Sequence, residues 1–102
     1  MKTLTKEYEN DAYGHLYEME YREDDGWFSS TYEMVALTAP ANRYDTDVAK
    51  CHLYPSGKIC VTPGKEPRDF ETAEAVALYW MERYSEYVET GVFRDDGGSV
   101  VV

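Results

Sequence analysis

The sequence predicts an α+β domain, an antiparallel β-meander followed by one long C-terminal helix. Residues 15–38 alternate apolar and polar side chains with period two, the pattern of half-buried strands. Residues 71–90 instead repeat apolar side chains at helical spacing and form one stripe. The length, 102 residues at 43% hydrophobic, suits a single domain, 1–102, with one modest core.

The elements follow in order. Residues 1–12 are polar and charged and are expected as a loose arm or a short helix. From His15, Tyr17, Met19 and Tyr21 face one way and Glu18, Glu20 and Arg22 the other, which predicts a strand. Asp24-Asp25-Gly26 is a hairpin signal. A second strand is expected from Trp27 to Thr38, with Phe28, Tyr32, Met34 and Ala36 on one face, ended by Pro40. After a polar connection, Val48–Leu53 and Lys58–Thr62 are strand-like runs flanking Tyr54-Pro55-Ser56-Gly57, a type I turn sequence. If that turn closes a two-residue hairpin, Cys51 faces Cys60 at disulfide-permitting range. Ala73, Val76, Ala77, Trp80, Tyr84, Tyr87 and Val88 form the helix stripe, with Asp69 or Thr72 capping its start and Gly91 following its end. Residues 94–102 are expected as a tail or a short edge strand.

Charge and composition exclude several functions. Acidic residues outnumber basic ones 20 to 10, for a net charge of -10. Nucleic-acid binding rests on Lys and Arg displacing counterions, and anionic membranes repel the same sign. No apolar run spans a bilayer and no secretory h-region opens the chain, so a soluble cytoplasmic protein is expected. Two cysteines do not make a disulfide scaffold, so both are expected as thiols. Ten tyrosines suit a small core that stays partly wet.

Chemistry gathers in Lys50-Cys51-His52-Leu53-Tyr54-Pro55-Ser56-Gly57-Lys58-Ile59-Cys60-Val61. This segment resembles the active-site segment of ubiquitin-conjugating enzymes and their bacterial relatives. Tyr54, Pro55, Ser56, Gly57 and Cys60 match that family's turn and catalytic cysteine, and Ile59 and Val61 match in character. A helix bearing Trp80, Tyr84 and Tyr87 and closing with Thr90-Gly91-Val92-Phe93 is similar to bacterial members, so the likeness covers residues 50–93. Lys50, Cys51 and His52 replace the family's His-Pro-Asn, and the tryptophan that usually follows the cysteine is missing. The resemblance implies a reduced ubiquitin-conjugating fold of bacterial or phage type. It implies a transferase in which Cys60 carries a ubiquitin-like modifier as a thioester. The partners implied are that modifier and an activating enzyme, with no metal or organic cofactor. His52 stands where the family has asparagine, so it is implied to donate to the developing oxyanion or to act as a base.

Other readings compete. An unpaired cysteine is commonly a small buried hydrophobe, and His52 an ordinary strand histidine. Cys51, His52, Cys60 and His15 are possible zinc ligands, but Cys51 and His52 as strand neighbours point to opposite faces. A non-enzymatic acidic module that occupies a basic surface of a partner protein is the alternative function. An inactive conjugating-enzyme fold serving as a scaffold is a third. The oligomeric state is not determined by the sequence.

Overall fold

The computed structural model of the chain describes residues 2–26 and 30–94. Three strands and two helices follow in order: β1 (Lys2–Asn10), β2 (His15–Asp25), β3 (Ser30–Thr38), α1 (Val48–Cys51) and α2 (Phe70–Thr90). The strands form one antiparallel sheet in the order β1-β2-β3. This is the expected α+β arrangement of a meander followed by a C-terminal helix.

Alternation in β2 decides which face is covered. Tyr17, Met19 and Tyr21 are buried, and Met34 of β3 opposite Tyr21 is buried with them. α2 lays Ala73, Ala77, Trp80, Met81 and Tyr84 on that face. Trp80 meets Tyr17 edge-on at 5.9 Å and stacks on Tyr84 at 4.6 Å. The tyrosine hydroxyls keep partners inside this core. That of Tyr17 shares a hydrogen bond of 2.6 Å with Ser85 Oγ and lies 3.1 Å from the Met81 carbonyl. Burial still pushes the Tyr17 hydroxyl above its ordinary pKa, and that of Tyr84 up to about 12.

Both ends of α2 follow its sequence. Asp69 is the N-cap, and its carboxylate accepts the Thr72 amide at 2.7 Å. That bond holds its carboxyl below the usual value. Gly91 takes the left-handed conformation at φ 79° and donates its amide to the Tyr87 carbonyl, so the helix stops there.

Three expectations are corrected. Residues 2–10 are not a loose arm but β1, paired with β2 over nine consecutive residues, Lys2↔Glu23 to Asn10↔His15. Leu4, Lys6, Tyr8 and Asn10 do alternate with Thr3, Thr5, Glu7 and Glu9, but charge on both faces masks the period. Tertiary bonds then fix the strand. Glu74 of α2 accepts from Lys6 at 2.5 Å and from Tyr8 at 2.6 Å, and Tyr8 and Tyr21 share a further bond of 2.7 Å. The second correction is that Val48–Leu53 is not a strand. Asp47 caps a helical turn by accepting the Ala49 amide at 2.8 Å, a local bond that competes with extended structure. The third concerns the 54–57 turn and is taken up with the site. The expected start of the second strand at Trp27, with Phe28, lies outside the described residues, as does the tail from residue 95.

Candidate functional site

The segment between α1 and residue 63 turns at residues 54–57 and runs back beside β3. Ala36 donates its amide to the Gly57 carbonyl at 2.7 Å, and Ile59 donates to Met34 at 2.9 Å. Val35 and Lys58 form an antiparallel bridge between those bonds. Residues 57–59 therefore cover the free edge of β3, and Cys60 follows directly. Glycine is required at 57. Its φ is 91°, and a Cβ there would sit 2.7 Å from the Ala36 carbonyl oxygen.

The turn itself explains why the two cysteines do not face each other. Gly57 donates to the Tyr54 carbonyl at 2.9 Å, closing the expected turn. Tyr54 then donates to the Lys58 carbonyl at 2.9 Å, so left-handed Gly57 adds one residue to the loop. The register moves by one. Leu53 opposes Ile59, and the Cys60 amide donates to the His52 carbonyl at 3.0 Å. Cys51 stays behind in α1, and both cysteines are free thiols.

His52 and Cys60, the two residues singled out by sequence, are thus brought to opposed backbone positions. His52 caps α1 in the left-handed conformation at φ 58°, a strained position for a residue with a Cβ. Its ring lies 4.6 Å from that of Phe93. The Thr90-Gly91-Val92-Phe93 ending of the helix therefore has a structural task, because the turn at Gly91 swings Phe93 against His52. Tyr44, Tyr87, His52 and Phe93 wall a shallow depression on this side.

On the other side the Cys60 thiol donates to the Tyr54 hydroxyl at 3.4 Å. That hydrogen bond is the main cause pushing the Tyr54 hydroxyl above its ordinary pKa. Cys60 is 9% exposed, while Tyr54, at 41%, stands at the surface over it. Tyr54 also lines a cleft of about 480 Å³ with Tyr32, Met34, Ile59 and Val61, and a Lys58–Glu33 ion pair of 3.2 Å stands at its rim. Cys51 differs. It is 2% exposed, its thiol points to the Asp47 carbonyl at 3.5 Å, and burial pushes its pKa up. A thiol so placed is a poor nucleophile, because the thiolate is the reactive form.

Sequence reasoning missed Tyr54 as a functional side chain and treated it only as part of the turn. The signal was its place six residues before Cys60, on the same face of a hairpin. His15, weighed above as a zinc ligand, lies at the start of β2, stacked on Tyr13 with Nε2 3.8 Å from Glu89. Among the described residues no three His, Cys, Asp or Glu side chains gather as a metal site. No helix of the described residues is long and apolar enough to cross a membrane.

Comparison with protein-family models, curated proteins and solved structures gave no match.

Proposed function

We propose that this chain is a small conjugating-enzyme-like transferase in which Cys60 accepts the C-terminal acyl group of a ubiquitin-like protein. The observation that carries this reading is the contrast between the two thiols. Cys51, the last residue of α1, is packed into the core, whereas Cys60, though also buried, follows a glycine turn stitched to β3, beneath the hydroxyl of a surface tyrosine. The order of meander, crossover and helix supports it as well.

In this reading the Cys60 thiolate attacks the carbonyl carbon of a donor thioester. The new carbon–sulfur bond forms as the donor's carbon–sulfur bond breaks, and the donor thiolate leaves and takes up the proton. Tyr54 suits both states of the sulfur, since a hydroxyl accepts from a thiol and donates to a thiolate. His52 holds Cys60 through its carbonyl, and its ring is the candidate donor to the oxyanion when an acceptor amine attacks. An activating enzyme and the modifier are the protein partners that this chemistry requires.

The test is a synthetic peptide thioester ending in Gly-Gly, followed by intact-mass spectrometry. One hydroxylamine-sensitive adduct is expected, absent in Cys60→Ser and kept in Cys51→Ser. No adduct, or one indifferent to Cys60→Ser, overturns the reading.

A second reading, an acidic binding module, is favoured by the outer face of the sheet. Register places Glu7 directly opposite Glu18 there, with Glu9, Glu20 and Glu33 on the same face. Like charges so opposed destabilise a sheet. A module of this kind keeps its binding after Cys60→Ser.

A further inference from the structure

The two edges of the sheet are treated differently. Residues 57–59 cover β3, whereas among the described residues nothing pairs with the outer edge of β1. β1 is nine residues long, has no proline, and pairs with β2 without a bulge. A long regular edge with unpaired amides and carbonyls is a template for another strand, and the charges on this one, Lys2, Lys6, Glu7 and Glu9, work against the registers that set like charges together. On the helix side of this edge Leu4 is 48% exposed although it opposes buried Tyr21.

We propose that β1 pairs with β1 of a second copy of this chain, antiparallel and centred on Thr5, to give a six-stranded sheet across a two-fold axis. Symmetry, charge and length of overlap select the register, since centring on Thr3 opposes only residues 2–4 of the strand. A two-fold axis that continues the sheet stands perpendicular to it, so each residue faces one from its own side of the sheet. Even-numbered residues, which include Leu4, Lys6 and Tyr8, then oppose even ones, and odd oppose odd. Centring on Leu4 sets Lys2 against Lys6. Centring on Lys6 or Glu7 sets like charges against each other on the axis itself, and centring on Tyr8 sets Glu7 against Glu9. Centring on Thr5 opposes Thr5 with Thr5, Thr3 with Glu7, Leu4 with Lys6 and Lys2 with Tyr8. No like charges are directly opposed, and a Thr–Thr pair is favourable. The exposed Leu4 then packs on the aliphatic stem of Lys6, whose ammonium is already held by Glu74 of its own chain.

Each chain carries a net charge of -10, so long-range repulsion opposes this pairing. Added salt screens that repulsion, and the dimer strengthens with ionic strength. The proposal does not depend on the chemistry of Cys60.

The experiment is sedimentation velocity from about 10 μM to about 1 mM, the range in which a small interface associates, at low and at physiological salt. The expected mass rises from 11.8 kDa toward twice that value with concentration, more strongly at the higher salt. Thr5→Lys places two lysines on the axis and returns the monomer. The variant still folds, because its new lysine faces Glu20 across β2 in each chain, and circular dichroism checks that. Thr5→Cys joins two chains by a disulfide under mild oxidation at least about tenfold faster than Thr3→Cys, because only position 5 meets itself. A monomer throughout the concentration range overturns the proposal. A dimer that survives Thr5→Lys, or links equally well at position 3, also overturns it.

Discussion

Between β2 and α2 the contact is broad and apolar, with Tyr17, Met19 and Tyr21 lying against Ala77, Trp80, Met81 and Tyr84. The crossover from 48 to 63 sends only Cys51 and Ile59 fully into that core. Its path is held by discrete bonds: the Asp47 cap, the Gly57 turn and the two amides exchanged with β3. The first region owes its shape to area removed from water, the second to a few backbone positions. Broad burial tolerates small change and sets stability, whereas discrete bonds place one side chain and fail one at a time. Trp80 joins the two, since its indole Nε1 donates to the Cys51 carbonyl at 3.1 Å.

The largest expected effect breaks both regions at once. Trp80 is 0% exposed, and Trp80→Ala is expected to cost about 3–5 kcal/mol in urea unfolding. Trp80→Phe retains most of the packing but strips the Cys51 carbonyl of its donor, an expected cost of about 1–3 kcal/mol. A loss below about 1 kcal/mol for the alanine variant would mean that the core does not rest on this ring.

Next comes the crossover alone. Gly57→Ala forces a left-handed residue to carry a Cβ against the Ala36 carbonyl, and is expected to cost about 1–3 kcal/mol. It also shifts the residues leading to Cys60, so the thiol's alkylation rate changes along with stability. An unchanged rate would separate the turn from the placement of Cys60.

The smallest expected effect belongs to the polar clamp between β1 and α2. Hydrogen bonds from Lys6 and Tyr8 hold the Glu74 carboxyl below its ordinary 4.5, and the helix amide of Thr72 holds Asp69 below 3.8. Because both folded values are depressed, their contribution is present above the ordinary values and is lost as pH falls through the folded ones. Glu74→Gln is expected to cost about 0.5–1.5 kcal/mol at pH 7 and to flatten the acid limb of the stability profile. Parallel acid limbs for variant and parent would place the acid sensitivity elsewhere.

The same contrast explains what the sequence made legible. The stripe through Trp80 located α2 to within a residue; of the two residues expected to cap its start, Asp69 and Thr72, Asp69 is the N-cap, and Gly91 follows its end as expected. Alternation from Tyr17 to Tyr21 gave β2 and its buried face. β1 was hidden because its inward positions include Lys6 and Asn10, which enter the sheet through partners on α2 and β2 rather than through hydrophobicity. The crossover was hidden for another reason. A left-handed His52 and a one-residue loop extension at Gly57 leave no periodic trace, yet together they place His52, rather than Cys51, opposite Cys60. The motif supplied the names Cys60 and His52; the role of Tyr54 lies in the local hairpin geometry around Cys60, and that of Phe93 emerges from tertiary contact with His52.

The central claim is that one thiol is poised and the other sealed, and pulsed alkylation of the native protein tests it most directly. Iodoacetamide is added without denaturant, and the modified peptides are quantified by mass spectrometry over time. Cys60 is expected to label at least about tenfold faster than Cys51, which burial holds in the unreactive thiol form. Tyr54→Phe, which removes the hydroxyl beside the sulfur, is expected to change the labelling rate of Cys60 and leave that of Cys51 alone. Equal protection of both cysteines until the protein unfolds, or faster labelling of Cys51, would contradict the account.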